Sequence, residues 1–298
     1  MTSPYLPGTH KQFAWDSTSL GWLKTCPRLY YYSKLRNLTT KSKSPHLDFG
    51  IWYHKALENY DHLRAKGNDH ESALRTVTEY VLFVTWHDGK PWESEHNLKN
   101  RFNLLRTVIW YLEEYQHDNA TTVTLEDGRA AVEFSFALPV DDEIVLCGHL
   151  DKIVNFGGDF FVMDHKTTSV SPGAYFFDGY NPDNQMSLYS FAAQIILKSP
   201  VQGVIIDAAQ VAVGFSAFSR GFTFRTRSQL DEWYENMQAY VKLAWHYADD
   251  EFFPMNDKAC NNYGKCAFHK VCSTAPSMRE TIIASDYIEQ DWNPLIPR

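Results

Sequence analysis

No run of apolar residues approaches the roughly 18–20 that a membrane-spanning helix needs, so none is expected in this chain. The opening Met1-Thr2-Ser3-Pro4 lacks both the basic and the apolar part of a secretory signal. A cytoplasmic setting is expected, that of the host if the chain is viral. Positive charge is in deficit: 28 Lys and Arg stand against 36 Asp and Glu, and the net charge of −8 gives no global pull toward nucleic acid. Cysteine is scarce and odd in number, with Cys26, Cys147, Cys260, Cys266 and Cys272 only. An odd set in a chain without a signal argues against a disulfide framework. Repeats, low-complexity tracts and sharp composition breaks are also missing.

What is present suffices for a sizeable core, since 44% of the 298 residues are hydrophobic and 15% aromatic. Residues 16 to 36 read as a short helical stretch with Asp16 or Ser17 as cap. From Leu47 to Arg64, Phe49, Trp52, Tyr53, Ala56, Leu57 and Tyr60 recur at helical spacing, and Gly50, His54 and Glu58 share a second face. Further helices are expected over Glu71–Thr85 and Leu98–Gln116, the second with a stripe of Phe102, Leu105, Val108, Ile109, Leu112 and Tyr115. The period then drops to two at Ala130–Leu138, and Glu143–Phe156, Gly157-Gly158-Asp159 and Phe160–Met163 read as a hairpin. A helix over Asp183–Leu197, strands within Val201–Phe215 and Gly221–Arg227, and a Ser-capped helix over Ser228–Tyr247 follow. The remainder reads as a cysteine tail and coil. This order implies an α/β (α+β) fold with a central mixed sheet flanked by helices. Along the sequence it divides into a helical region 1–125, a core 126–252 and a tail 253–298.

The hairpin carries the strongest chemical signal. Gly148-His149-Leu150-Asp151 lies on its first strand, and Met163-Asp164-His165-Lys166 ends its second. Alternation along a strand points Asp164 and Lys166 the same way, facing Asp151 across the hairpin. Two carboxylates and an ammonium in one place suit metal-assisted hydrolysis, although on spacing alone a surface salt bridge is the commoner explanation. Alone, His54 on its helix, Gln185 one turn from Tyr189, and Glu133 among apolar strand neighbours are each ordinary. Between Lys24 and Lys43 lie Lys24, Arg28, Lys34, Arg36, Lys41 and Lys43 with no acid, interleaved with Tyr30, Tyr31 and Tyr32. Such a segment can hold phosphates and stack bases, or be an ordinary solvated segment with core tyrosines.

Taken in order, Gly50/His54, Gly148/Asp151, Asp164/Lys166 and Gln185/Tyr189 resemble the motifs of the PD-(D/E)XK nuclease superfamily. They are most similar to its RecB-like exonuclease branch, which includes CRISPR-adaptation nucleases and the AddB nuclease domain. There the order is G-x-x-x-H, G-x-x-D, D/E-x-K and Q-x-x-x-Y. The resemblance implies a restriction-endonuclease-like fold and a Mg²⁺- or Mn²⁺-dependent deoxyribonuclease, with single-stranded DNA or DNA ends cleaved exonucleolytically. His54, Asp151, Asp164 and the backbone carbonyl of His165 would hold the metal. Lys166 would orient the attacking water and stabilise developing charge. Gln185, Tyr189, Arg28, Lys34 and Arg36 would contact substrate. The second acid is Asp164 where Glu is commoner, and its shorter side chain remains a competent ligand.

The late cysteines fall at Cys260-x₅-Cys266-x₅-Cys272, wider than zinc-finger pairs and one ligand short of a tetrahedral set. Cys26, in Thr25-Cys26-Pro27-Arg28, is the candidate fourth. In the branch that this chain resembles, an early Cys-Pro-Arg and three late cysteines hold a [4Fe–4S] cluster. Zn²⁺, with His269 as a possible ligand, and no metal at all remain open. Cys147 reads as core. The resemblance implies recombination, replication or CRISPR-adaptation proteins as partners. A non-catalytic nucleic-acid-binding protein, or a zinc-stabilised interaction protein on the same fold, is the alternative.

Overall fold

The computed structural model of the protein describes residues 3–41, 44–87, 89–94, 96–262 and 264–297. Lys43, the last of the basic run, and the Met1-Thr2 start lie outside the described residues. Strand β1 (Ala14–Trp15) leads to helix α1 (Ser17–Thr25). Asp16 is its cap, because its carboxylate accepts from the Ser19 amide while its own amide donates to the Ser19 hydroxyl. Helix α2 (Pro27–Tyr30) opens on proline and continues as a π turn over Tyr31–Leu35. Strand β2 (Leu38–Thr40) follows, then α3 (Pro45–Ala65) and α4 (His70–Val84), the short strands β3 (Trp86–His87) and β4 (Lys90–Pro91), and α5 (Arg101–Glu114). Next come β5 (Thr121–Thr122), β6 (Val132–Pro139), β7 (Val145–Phe156), β8 (Asp159–Thr168), α6 (Ala174–Asp178) and α7 (Asn184–Leu197). The chain closes with β9 (Gly203–Val211), β10 (Ser216–Phe224), α8 (Arg227–Asp249), α9 (His269–Ser273), α10 (Arg279–Asp286) and β11 (Tyr287–Glu289).

The chain forms two compact units of interleaved segments. The unit built from residues 44–134 and 149–226 holds most of the mixed sheet. Gly157 and Gly158, at φ of +65° and +96°, make the two-residue turn that a β-hairpin favours. They pair β7 with β8 from Phe156 opposite Asp159 to Lys152 opposite Met163. Strand β8 then runs parallel to β9, with Asp164 beside Ile206 and His165 beside Asp207, and β9 turns back antiparallel into β10. Parallel pairing requires a crossover, which α6 and α7 supply. Helices α3, α4 and α5 bury Phe49, Tyr53, Leu57, Val77, Val81, Leu104 and Val108 against Ala209 and Val211 of β9. Helix α7 packs on β8 and β9.

The other unit comprises residues 1–43, 135–148 and 227–298. Here β1 pairs in parallel with the start of β7, Ala14 with Val145 and Trp15 with Leu146, and α1 packs on α8. Its second core joins Tyr32 and Leu38 to Phe268, Val271, Ile283 and Tyr287. Cys147 is fully buried in β7, in the core role expected of it. Among the described residues no helix is long and apolar enough to cross a membrane.

The second hairpin strand carries Asp164-His165-Lys166 as expected, and β8 runs on to Thr168 because β9 pairs with it there. Two expectations need correction. The stripe of α5 fails at Phe102, which is 81% exposed. Val108 and Leu112 are buried with Leu104 and Tyr111, and Leu105 and Tyr115 pack against the same core. Finally, the terminal coil contains α10 and β11, the latter paired with β2. A three-residue strand whose partner lies at the other end of the chain leaves no local pattern.

Candidate active site

Asp151, Asp164 and Lys166 come together where the β7–β8 ladder ends. Beyond Lys152–Met163 the His165 amide donates instead to Asp151 Oδ2, at 2.8 Å. His54, from α3, places Nδ1 3.2 Å from the same Asp151 oxygen. Lys166 Nζ lies 2.6 Å from Asp164 Oδ2, confirming that these two share a face, and donates to Gln185 Oε1 at 2.9 Å. Gln185 Nε2 in turn donates to the Tyr189 hydroxyl at 2.9 Å. Both residues sit at the start of α7, fixed by Asp183, whose carboxylate accepts from the Met186 amide. The six side chains thus come from two strands and two helices. Glu133 sits half-buried in β6 with a left-handed φ of 44°.

The electrostatics separate the two carboxylates. Burial pushes Asp151 up, but His54, His165 and Lys166 together outweigh it and hold the acid well below the ordinary carboxylate range. Burial also pushes Asp164 up, with Asp151 adding to it, and here Lys166 does not fully compensate. Burial alone would discharge His54 and Lys166, yet the neighbouring acids keep both above their ordinary values. Lys166 is therefore an ammonium, suited to neutralising negative charge. Asp164 Oδ2 is buried with no hydrogen-bond donor in good geometry. Two buried carboxylates, with Asp164 Oδ2 met only by the Lys166 ammonium, plus an imidazole form a donor set that fits a hard divalent cation. Among the described residues no three His, Cys, Asp or Glu stand in a ready-made metal-holding arrangement.

Beneath this face lies a group that the sequence reading missed. Alternation turns His165 to the opposite side of β8, where its Nδ1 is 3.4 Å from Asp207 Oδ2 of β9. Tyr111 of α5 donates to that same oxygen. Arg220 of β10 reaches it at 3.3 Å and makes a two-point contact with Asp118 at 2.8 and 2.6 Å. Asp207 is fully buried; burial raises it, but His165, Arg220 and Tyr111 bring it down to about 2. The available signal was a lone acid inside the apolar run Val201–Val213, where an unpaired charge would be costly.

Cys26, Cys260, Cys266 and Cys272 line one cavity of about 400 Å³, with His269 and Phe268 in its wall. The Asn256 amide donates to Cys26 Sγ at 3.3 Å. Burial raises the thiols of Cys266 and Cys272, with Arg28 opposing this at Cys272. Four thiols around one cavity are a fitting donor set for a thiolate-bound metal or cluster, though the metal-holding arrangement is again not formed among the described residues. Of the expected substrate contacts, Lys34 must be corrected. It is only 6% exposed, its ammonium lies 4.6 Å from the Trp22 ring and 4.1 Å from the Trp292 ring, and it is not presented to a phosphate. Arg28 donates to the Phe253 carbonyl, and Arg36 makes a two-point contact with Glu280 at 2.7 and 2.9 Å.

Comparison with known proteins agrees with this fold. Among curated protein sequences, nothing matches. A crystal structure from Eubacterium rectale named a "putative exonuclease" superposes with a TM-score of 0.50 at 10% identity, covering 83% of this chain and 85% of that one. The structure of SSO0001 matches with a TM-score of 0.35 at 13% identity, covering 87% and 85%. The family model of the PD-(D/E)XK nuclease superfamily matches residues 17–273. That span includes every element of the hairpin site and all four cavity cysteines, and the chain belongs to the PD-(D/E)XK nuclease superfamily.

Proposed function

We propose that the protein is a divalent-metal-dependent deoxyribonuclease of the RecB-like kind, acting as an exonuclease on single-stranded DNA or DNA ends. The supporting observation is the joining of Asp151, Asp164 and Lys166 at one strand end to His54 on one helix and Gln185 and Tyr189 on another. Mg²⁺ or Mn²⁺, when bound, supplies an activated water and offsets phosphate charge. His54, Asp151, Asp164 and the His165 carbonyl would hold it. Lys166, kept cationic by two acids, orients the water and meets the charge that develops on the phosphate. Gln185 holds the Lys166 ammonium through one end of its amide and Tyr189 through the other, so a strand laid against α7 meets a fixed lysine. Arg28 and Arg36 are the remaining candidates for contacts to the DNA backbone.

In the same reading, Cys26, Cys260, Cys266 and Cys272 hold a [4Fe–4S] cluster that clips the two ends of the chain together, Zn²⁺ being the alternative metal. Recombination, replication or CRISPR-adaptation proteins are the partners that such a nuclease would serve. The decisive experiment is digestion of 5′- and 3′-end-labelled single and double strands with and without Mn²⁺. Lys166→Ala and Asp151→Ala are expected to lower cleavage by at least about 10³-fold while keeping the far-UV circular dichroism of the parent. Unchanged cleavage in both variants would refute the site. DNA binding without cleavage in the parent would favour a non-catalytic binder.

A further inference from the structure

We propose that Asp207, anchored by Tyr111 and Arg220, is a positioning residue that holds His165 and through it prepares the hairpin end to bind a divalent cation. This inference rests on the metal-dependent reading of the site above.

The His165 backbone has an unusual task. Its amide donates to Asp151 Oδ2 rather than to a strand, because the β7–β8 pairing has already ended at Lys152–Met163. In an extended strand the N–H and C=O of one residue face the same neighbour. The His165 carbonyl therefore faces the side of Asp151, while the peptides of Asp164 and Lys166 are those that face β9. On the Asp151 side no ladder partner fixes this peptide, so besides the Asp151 carboxylate its anchor is its own side chain.

That side chain is tightly enclosed. Its ring stands edge-on to Tyr111 at 5.7 Å and to His54 at 6.1 Å, and Asp207 lies at its Nδ1. Asp207 is itself held from three directions, by Tyr111, by Arg220 and by the strand that carries it. Arg220 is braced in turn by Asp118 and by the face of Tyr115, 4.0 Å below it. Tyr53, the residue before His54, brings its hydroxyl into the same layer. This group thus supports both His165 on β8 and the segment of α3 that carries His54.

Packing does not call for such a cluster. Asp207 Oδ1, Tyr53 OH and Arg220 Nε are all buried without a hydrogen-bond partner among the described residues, and His165 Nδ1 has only the Asp207 carboxylate, 3.4 Å away. Buried polar groups left this way are costly, and apolar side chains of similar volume would fill the layer at less cost. An outer layer that orients a ligand-bearing residue explains why the polar groups are there.

The test measures Mn²⁺ binding to the full chain by electron paramagnetic resonance and calorimetry, without DNA. The parent and Asp151→Ala come first: binding by the parent and its loss in Asp151→Ala locate the ion at the hairpin. Asp207→Asn is then expected to raise the dissociation constant about 10- to 100-fold. Cleavage by this variant should recover at saturating Mn²⁺, so that the metal requirement shifts more than kcat. Tyr111→Phe, which keeps the packing, should shift affinity the same way by about two- to ten-fold. In the metal-free protein, the His165 ring resonance, assigned with His165→Gln, should move in both variants. If Asp207→Asn does not fold, Tyr111→Phe carries the test alone. Parent-like Mn²⁺ affinity in the folded variants, with Asp151→Ala still defective, would overturn the positioning role alone. A parent that binds no Mn²⁺, or an Asp151→Ala protein that binds it normally, would overturn the site reading and this inference with it.

Discussion

At the scale of single residues, a basic side chain near tyrosines has two physical outcomes. It can reach into solvent toward phosphates, or it can lie on aromatic faces as a cation–π pair. Lys34 takes the second course between Trp22 and Trp292, and burial pulls its ammonium down to about 8 from 10.5. A shift of that size corresponds to about 3 kcal/mol against the charged form, partly offset by about 0.5–2 kcal/mol from the indole faces. Because the folded value lies below the unfolded one, this cost is present in full below pH 8 and vanishes above pH 10.5. Lys34→Met should therefore match or exceed the parent Tm at pH 7, and the gap should close between pH 8 and 10.5 in thermal melts. A gap that widened with pH would contradict the burial account. The sequence could not distinguish the two courses, since Trp292 lies some 250 residues away from Lys34. By contrast Asp151, Asp164 and Lys166 were legible, because strand alternation is local and needs only the turn at Gly157-Gly158 to bring them together. Asp207 was not, since its partners come from α5, β8 and β10.

At the scale of elements, helix α7 carries two site residues in its first two turns, so its start matters more than its length. Asp183 accepts from the Met186 amide at 2.9 Å, one residue from Gln185. Asp183→Ala should cost about 1 kcal/mol in urea unfolding and also weaken cleavage, because Gln185 would no longer be held against Lys166. An equal loss of stability with normal cleavage would separate the cap from the site. Strand β9 depends on Gly203 for another reason: a Cβ there would stand 2.4 Å from the Thr223 carbonyl of β10. Gly203→Ala should destabilise by about 1–3 kcal/mol, since backbone rather than a flexible side chain must yield. Elements with strong internal periodicity, α3 and α4 above all, were legible within a few residues. The stripe of α5 failed at Phe102, which is exposed while the smaller Thr107 is buried against Ser216. Composition alone does not rank a phenylalanine below a threonine for burial.

At the scale of the molecule, the cysteine cavity lies in the unit assembled from both ends of the chain. If a cluster spans Cys26 and Cys260, it closes a loop of more than 200 residues, a constraint worth about 5 kcal/mol by the loop-closure relation. Cys260→Ala should then lose iron and labile sulfide, and its Tm should fall by about 10 °C. A variant with parent-like Tm and DNA binding would rule out the clip. The mixed sheet and its helices were legible from the order of periods. The interleaving was not, since no local pattern reports which distant segments share a core.

The pairing of Leu38–Thr40 with Tyr287–Glu289 also carries a consequence in time. During synthesis about 250 residues separate the two strands, which at about 5–20 residues per second is a delay on the order of tens of seconds. Throughout that interval Tyr32 and Leu38 have no Phe268, Val271, Ile283 or Tyr287 to pack against. A segment made early is thus completed late, and a nascent chain halted before residue 268 should remain a target for chaperones and proteases.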